Sequence, residues 1–157
     1  MSEGRKRAVR LAYYVLNITY GLPMVLIGGA VGVCLRLCGV RPKRYGGGLC
    51  FETGYGYGGF SLGLTFVVSK DSGESVRRHE FGHSVQNALL GPFMPFAVGI
   101  PSAVRYWYRE VRARLGKKVT TPYDGVWFEA SATYLGKKYL AAFGGGEYED
   151  LKNEERG

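Results

Sequence analysis

Among 157 residues there are only two histidines, three cysteines and two tryptophans, and 13 acidic residues face 21 basic ones. Cys34, Cys38 and Cys50 are too few and too oddly counted for a disulfide framework. The 25 glycines follow no fixed period, and no segment repeats at solenoid length, so collagen and repeat arrays are excluded. A charged fraction of 22% against 46% hydrophobic is too apolar for a disordered chain. Mean hydropathy of −0.09 excludes a polytopic transporter, although one membrane segment can hide in that average. The length suits one domain with one core. The net charge of +8 suits an anionic partner, either nucleic acid or a lipid surface. No recognition helix, RNP motif or zinc-finger spacing supports nucleic acid.

Leu11 to Leu35 is a run of 25 uncharged residues, long enough to cross a bilayer of roughly 30 Å as a helix. Arg5, Lys6, Arg7 and Arg10 precede it, Arg41, Lys43 and Arg44 follow it, and Tyr13, Tyr14 and Tyr20 sit toward one end. The pattern predicts a retained membrane helix. A cleaved signal peptide fits the basic start but lacks an A-x-A site. A buried core helix is the other alternative, and Gly21-Leu22-Pro23 would kink it. Cys34 and Cys38, one turn apart without a partner pair, read as small apolar residues of this helix.

Phe60 to Ser69 alternates with a period of two, which predicts a strand that Leu49–Thr53 can pair with. Asp71 and Glu74 suggest a capping box for a helix running to Leu90 and stopping at Gly91-Pro92. Phe93–Val104 is apolar but broken by Pro95 and Pro101, and Arg105–Lys118 is basic. A further helix is expected over Tyr123–Phe143, before Gly144 and an acidic tail.

His79-Glu80-Phe81-Gly82-His83 is H-E-x-x-H within the first of these helices. Both histidines of the chain lie in it, and four residues is close to one helical turn, so both imidazoles leave the same face. That pair can bind one Zn²⁺, with Glu80 beside it to take a proton from water. A catalytic zinc site needs a third protein ligand. With no third histidine, that ligand is a carboxylate or a thiolate. Glu129 is an acid among apolar and small residues, which is costly unless it is paired or metal-bound. Ala130, Ser131 and Ala132 would let its helix approach the first closely.

These residues resemble the gluzincin branch of zinc metallopeptidases, which pairs H-E-x-x-H with a glutamate on a later helix. Glu129-Ala130-Ser131-Ala132 matches its E-x-x-A form, and residues 84 to 128, forty-five in all, separate the motifs. The chain is also similar to small bacterial membrane-associated peptidase-like proteins. They share a motif helix read here over Arg78–Gln86, then Leu90-Gly91-Pro92 and Gly99-Ile100-Pro101-Ser102. The resemblance covers residues 20 to 140. It implies zinc held by His79, His83 and Glu129, with Glu80 as general base, and an extended substrate laid along the strand before the motif helix. Thr133 stands where some relatives carry an aspartate that braces a zinc-binding histidine, so Asp124 or a backbone carbonyl is the expected brace. Tyr123 and Tyr134 are the nearest candidates to stabilise an oxyanion, against an ordinary packing role.

The expected fold class is α+β and mostly helical. It comprises an N-terminal membrane helix, a small antiparallel β unit, a zincin-like active-site helix and a glutamate-bearing helix. Residues 1–40 form the basic N-terminus and membrane segment, 41–143 the zincin-like domain, and 144–157 an acidic flexible tail. The expected function is a membrane-associated zinc metallopeptidase acting on peptide or protein substrates. The alternative is a non-enzymatic membrane adaptor with a structural zinc site, closed for instance by Cys50, or with none. Segment 91–104 is expected not to span the membrane, because His79 and Glu129 must share one side to hold one zinc. Both basic clusters favour the cytoplasmic face, and a single span cannot satisfy both. A unit this small leaves little material for a deep specificity pocket, so a partner subunit or a homo-oligomer is expected to complete the cleft.

Overall fold

In the computed structural model, which describes residues 1–117 and 125–144, the long uncharged run is divided in two. Helix α1 spans Glu3–Ile18 and α2 spans Leu22–Leu37, and they meet at a bend of 84°. Pro23 lies in the first turn of α2, where its missing N–H is no loss. Gly21 sits at the bend because a Cβ there would lie 2.4 Å from Asn87 Nδ2. The single N-terminal helix expected from hydropathy is therefore a bent pair. Among the described residues no single helix is long and apolar enough to cross a membrane.

The β unit is a mixed sheet rather than an antiparallel one. Its strands are β1 (Pro42–Tyr45), β2 (Gly48–Thr53), β3 (Gly59–Leu62) and β4 (Thr65–Ser69), in the order β1-β2-β4-β3. The alternating run from Phe60 conceals a tight turn, since Gly63 adopts a φ of +62°, the first position of a type II′ hairpin. β3 and β4 pair antiparallel across it, while β2 pairs with β4 in parallel, from Leu49 opposite Thr65 to Thr53 opposite Ser69. All of β4 is buried, as a strand covered on both faces must be. β4 leads directly into the motif helix but lies inside the sheet, whose edges are β1 and β3.

One sheet face sets Cys50, Phe66 and Val68 against Phe81 and Val85 of helix α3 (Glu74–Leu90) and Tyr13 of α1. The other face presents Phe51 and Thr65 to Gly32 of α2, which approaches closely because it has no side chain. Tyr13 donates to or accepts from Ser84, and Asn87 Nδ2 donates to Asn17 Oδ1 at 2.8 Å. Helix α1 thus shares the core of the motif helix, while Met24 of α2 packs in a second cluster with Met94, Val98 and Phe128. Asp71 does not cap α3. Gly73 precedes it, and Asp71 accepts the Gly56 N–H at 3.1 Å, while Glu74 accepts from the Tyr45 hydroxyl.

Helix α3 ends at Leu90 before Gly91-Pro92, as the sequence indicates. A 3₁₀ turn (Gly91–Phe93) and a π-helical turn (Pro95–Gly99) then bend the chain by 118° into α4 (Ile100–Arg114). Helix α5 spans Trp127–Tyr139, followed by a 3₁₀ turn over Leu140–Phe143. Tyr123, Asp124 and the acidic residues from 145 onward lie outside the described residues.

Candidate metal centre

The site is built where α3 crosses α5. Contact between the two helices depends on glycines. A Cβ on Gly82 would stand 1.9 Å from the Ala132 carbonyl oxygen, and one on Gly136 would stand 2.1 Å from that of Arg78. Of the three small residues expected at this contact, Ala132 makes it. Ser131 turns to a polar role and Ala130 is exposed.

This approach brings His79, His83 and Glu129 together, with one potential ligand atom from each all within 4.8 Å of one another. Glu129 is fully buried. Its Oε2 lies 2.9 Å from His79 Nε2 and 3.4 Å from His83 Nε2, so both imidazoles aim the same nitrogen at one carboxylate oxygen. The three residues could hold a metal ion. Cys50 is not among them. It packs in the core with Phe66 and Phe81 and does not close the site.

The opposite ring nitrogens are held by groups that the sequence placed less clearly. Gln86 Nε2 donates to the Phe128 carbonyl and to Ser131 Oγ, both at 2.7 Å, which fixes the amide orientation. Its Oε1 must then accept from His83 Nδ1, 2.7 Å away, so Nε2 is left to offer a lone pair to a metal. His79 Nδ1 lies 2.9 Å from Thr133 Oγ1. Among the described residues the partner of this nitrogen is Thr133 itself, one turn after Glu129 on α5, while Asp124, one of the expected braces, lies outside them. Ser102, from α4, donates its hydroxyl to Glu129 Oε1 and leaves Oε2 turned toward the histidines. Nothing in local periodicity marked Ser102. Its only signal was its place in the Gly-x-Pro-Ser segment, as Gln86 stood at the end of the motif helix pattern.

Glu80 sits beside this group, 4% exposed, and its Oε2 has no hydrogen-bond partner among the described residues. Gly59 of β3 makes room for it, since a Cβ there would lie 3.0 Å from Glu80 Oε1. Burial lifts the Glu80 carboxyl above its ordinary range, against the pull of His83 and His79 and with the help of Glu129. Burial also pushes the Glu129 carboxyl up, yet hydrogen bonds with His79, His83 and Ser102 outweigh it and hold the group well below the usual carboxylate range. For His83, burial opposes the charge, but Glu129, Glu80 and Gln86 raise its pKa above the ordinary imidazole value. A metal at Nε2 would displace that proton.

Tyr134 is not brought to the centre. It is 59% exposed, with the Lys138 ammonium 5.3 Å from its ring centroid, and it lines neither cavity at the site. Tyr57 and Tyr106 line both cavities beside Glu80 instead. Tyr57 is already engaged with Thr53 Oγ1 at 2.7 Å, whereas Tyr106 follows Ser102 by one turn of α4.

The chain matches no protein-family model, no curated protein and no solved structure.

Proposed function

We propose that the chain is a membrane-associated zinc metallopeptidase, with His79, His83 and Glu129 as zinc ligands and Glu80 as general base. The observation that carries this reading is the convergence of His79 Nε2, His83 Nε2 and Glu129 Oε2 beside a buried carboxylate oxygen that has no hydrogen-bond partner among the described residues. Two imidazoles and one carboxylate, with no fourth protein ligand in the group among the described residues, is the donor set of an open zinc site. A bound Zn²⁺ would polarise a substrate carbonyl and lower the pKa of a nearby water toward ~7.

The chain's own groups account for the rest. Glu80 Oε2 takes one proton from the attacking water as its oxygen bonds to the carbonyl carbon. The same carboxyl returns that proton to the amide nitrogen as the C–N bond breaks, leaving a carboxylic acid and an amine. Tyr106, in place of Tyr134, is the tyrosine among the described residues suited to donate a hydrogen bond to the oxygen where negative charge develops.

The outer edge of β3 suits an extended substrate. Ser69 N–H donates to Gly58 O at 2.7 Å, and alternation in an antiparallel pair then turns the peptide groups of Gly59 and Ser61 outward. Membrane association is supported by an apolar stripe on α4. Ile100, Val104, Trp107, Val111 and Leu115, at spacings of three and four residues, are all more than half exposed. No residue of α4 is buried, and arginines flank the stripe, the pattern of a helix lying in a lipid interface.

Zinc content of the detergent-purified protein tests the reading. About one zinc per chain is expected in the unaltered protein and in Glu80→Gln, with turnover lost only in the latter. His83→Ala and Glu129→Gln should lose or weaken the metal. An unaltered protein that takes up no zinc on reconstitution would remove the proposal.

A further inference from the structure

The metal group lies between two cavities of opposite character. On the His83 side is a space of ≈ 360 Å³ walled by Met24, Phe60, Leu62, Met94, Val98 and Trp107. On the His79 side is one of ≈ 890 Å³, lined by Arg78, Arg109 and Lys137 together with Thr133. Among the described residues the acid on that wall besides Glu80 is Glu110, which is held by Arg114 Nε at 3.0 Å. Tyr57, Gly59, Glu80 and Tyr106 border both spaces, so the two form one cleft passing over Glu80.

Strand β3 gives this cleft a direction. It runs from Gly59, beside Glu80, to Leu62 in the apolar wall. A peptide added antiparallel to it, the better-bonded of the two pairings, runs the opposite way. Its N-terminal part then faces the apolar cavity, and its C-terminal part passes Glu80 into the basic one. Apolar walls reward a large aliphatic or aromatic side chain by excluding water from it. Guanidinium and ammonium groups on the far side reward a carboxylate and repel a cation.

Resting on the peptidase reading above, we infer that the cleft selects extended peptides with an apolar side chain N-terminal to the cleaved bond and a carboxylate C-terminal to it. The carboxylate is either an acidic side chain or a chain terminus, and both present the same group to Arg78 and Lys137.

Three fluorescein-labelled alanine–glycine peptides test this, carrying the orders Leu-Gly-Ala-Glu, Glu-Gly-Ala-Leu and Leu-Gly-Ala-Lys. Their binding to zinc-loaded Glu80→Gln is read by anisotropy, and their cleavage by the unaltered protein is read in parallel. The first peptide should bind about tenfold more tightly than either other, the effect of one partly desolvated charge pair. Lys137→Glu, a change at an exposed position, should invert the preference between the glutamate and lysine peptides. Equal binding and equal cleavage of all three would overturn the selectivity and leave the peptidase reading intact. Selective binding without any cleavage would overturn hydrolysis alone. No binding and no cleavage would overturn both.

Discussion

Two side chains that bind no metal themselves set which nitrogen each histidine presents. Gln86 is locked by Phe128 and Ser131, and it holds His83 through Nδ1. Thr133 does the same for His79 through a hydroxyl, where the family resemblance implied Asp124 or a backbone carbonyl. Loss of such a partner weakens a metal site about 10- to 100-fold, and Gln86→Leu and Thr133→Val should each fall in that range by zinc competition with a chelator. Gln86→Leu should be the more severe, because the buried amide also donates to the Phe128 carbonyl and to Ser131 Oγ, and both bonds go with it. Unchanged affinity in both variants would show that the histidines are oriented by packing alone. H-E-x-x-H was legible because one turn of helix aligns its histidines whatever surrounds them. Glu129 was legible because an unpaired acid in an apolar segment is costly. Ser102 was not, since only folding carries α4 back over Glu129.

The helix pair α3–α5 is the element on which the centre depends, and its closeness rests on missing side chains. In an isolated helix, Gly82→Ala would add stability of ~1 kcal/mol. Here the new methyl meets the Ala132 carbonyl at 1.9 Å, so a net loss of about 1–3 kcal/mol is expected in thermal or denaturant melts. The same displacement moves Glu129 away from His79 and His83, so zinc affinity should fall along with stability. A Gly82→Ala protein as stable as its parent would contradict the tight crossing. The sheet shows where periodicity misleads. The two-residue alternation from Phe60 to Ser69 passes straight through a glycine turn, because a hairpin can preserve the alternation while reversing the chain. Pairing partner and direction are long-range matters, so the parallel β2–β4 register had no local signal.

Apolar surface remains unusually exposed over the whole molecule. Leu26, Ile27, Val33 and Leu37 of α2 and the α4 stripe are open to the surroundings, on a chain with eight excess positive charges. Monomeric soluble proteins rarely leave large contiguous patches uncovered. If α4 lies in a lipid interface, the protein should sediment with vesicles containing phosphatidylglycerol, and Trp107 emission should shift to the blue in a Trp127→Phe background. Raising salt should weaken the association by screening the arginines. Equal sedimentation with neutral vesicles would assign the binding to apolar contact alone. Loss of sedimentation with both vesicle types would sink the interfacial placement of α4.

Chain order alone was enough to identify the motif helix, its end at Leu90 and the acid that joins the histidines. Each of these follows from helix geometry or from the cost of burying one charge. Only the folded chain could show that the uncharged N-terminal run bends by 84°, that of the alternating run Phe60–Ser69 only its first part, in β3, lies at a sheet edge, and that Gln86, Ser102 and Thr133 orient the ligands. The two unlike cavities also arise only on folding, because residues from β3, α3 and α4 form their walls and packing between distant segments has no period to read.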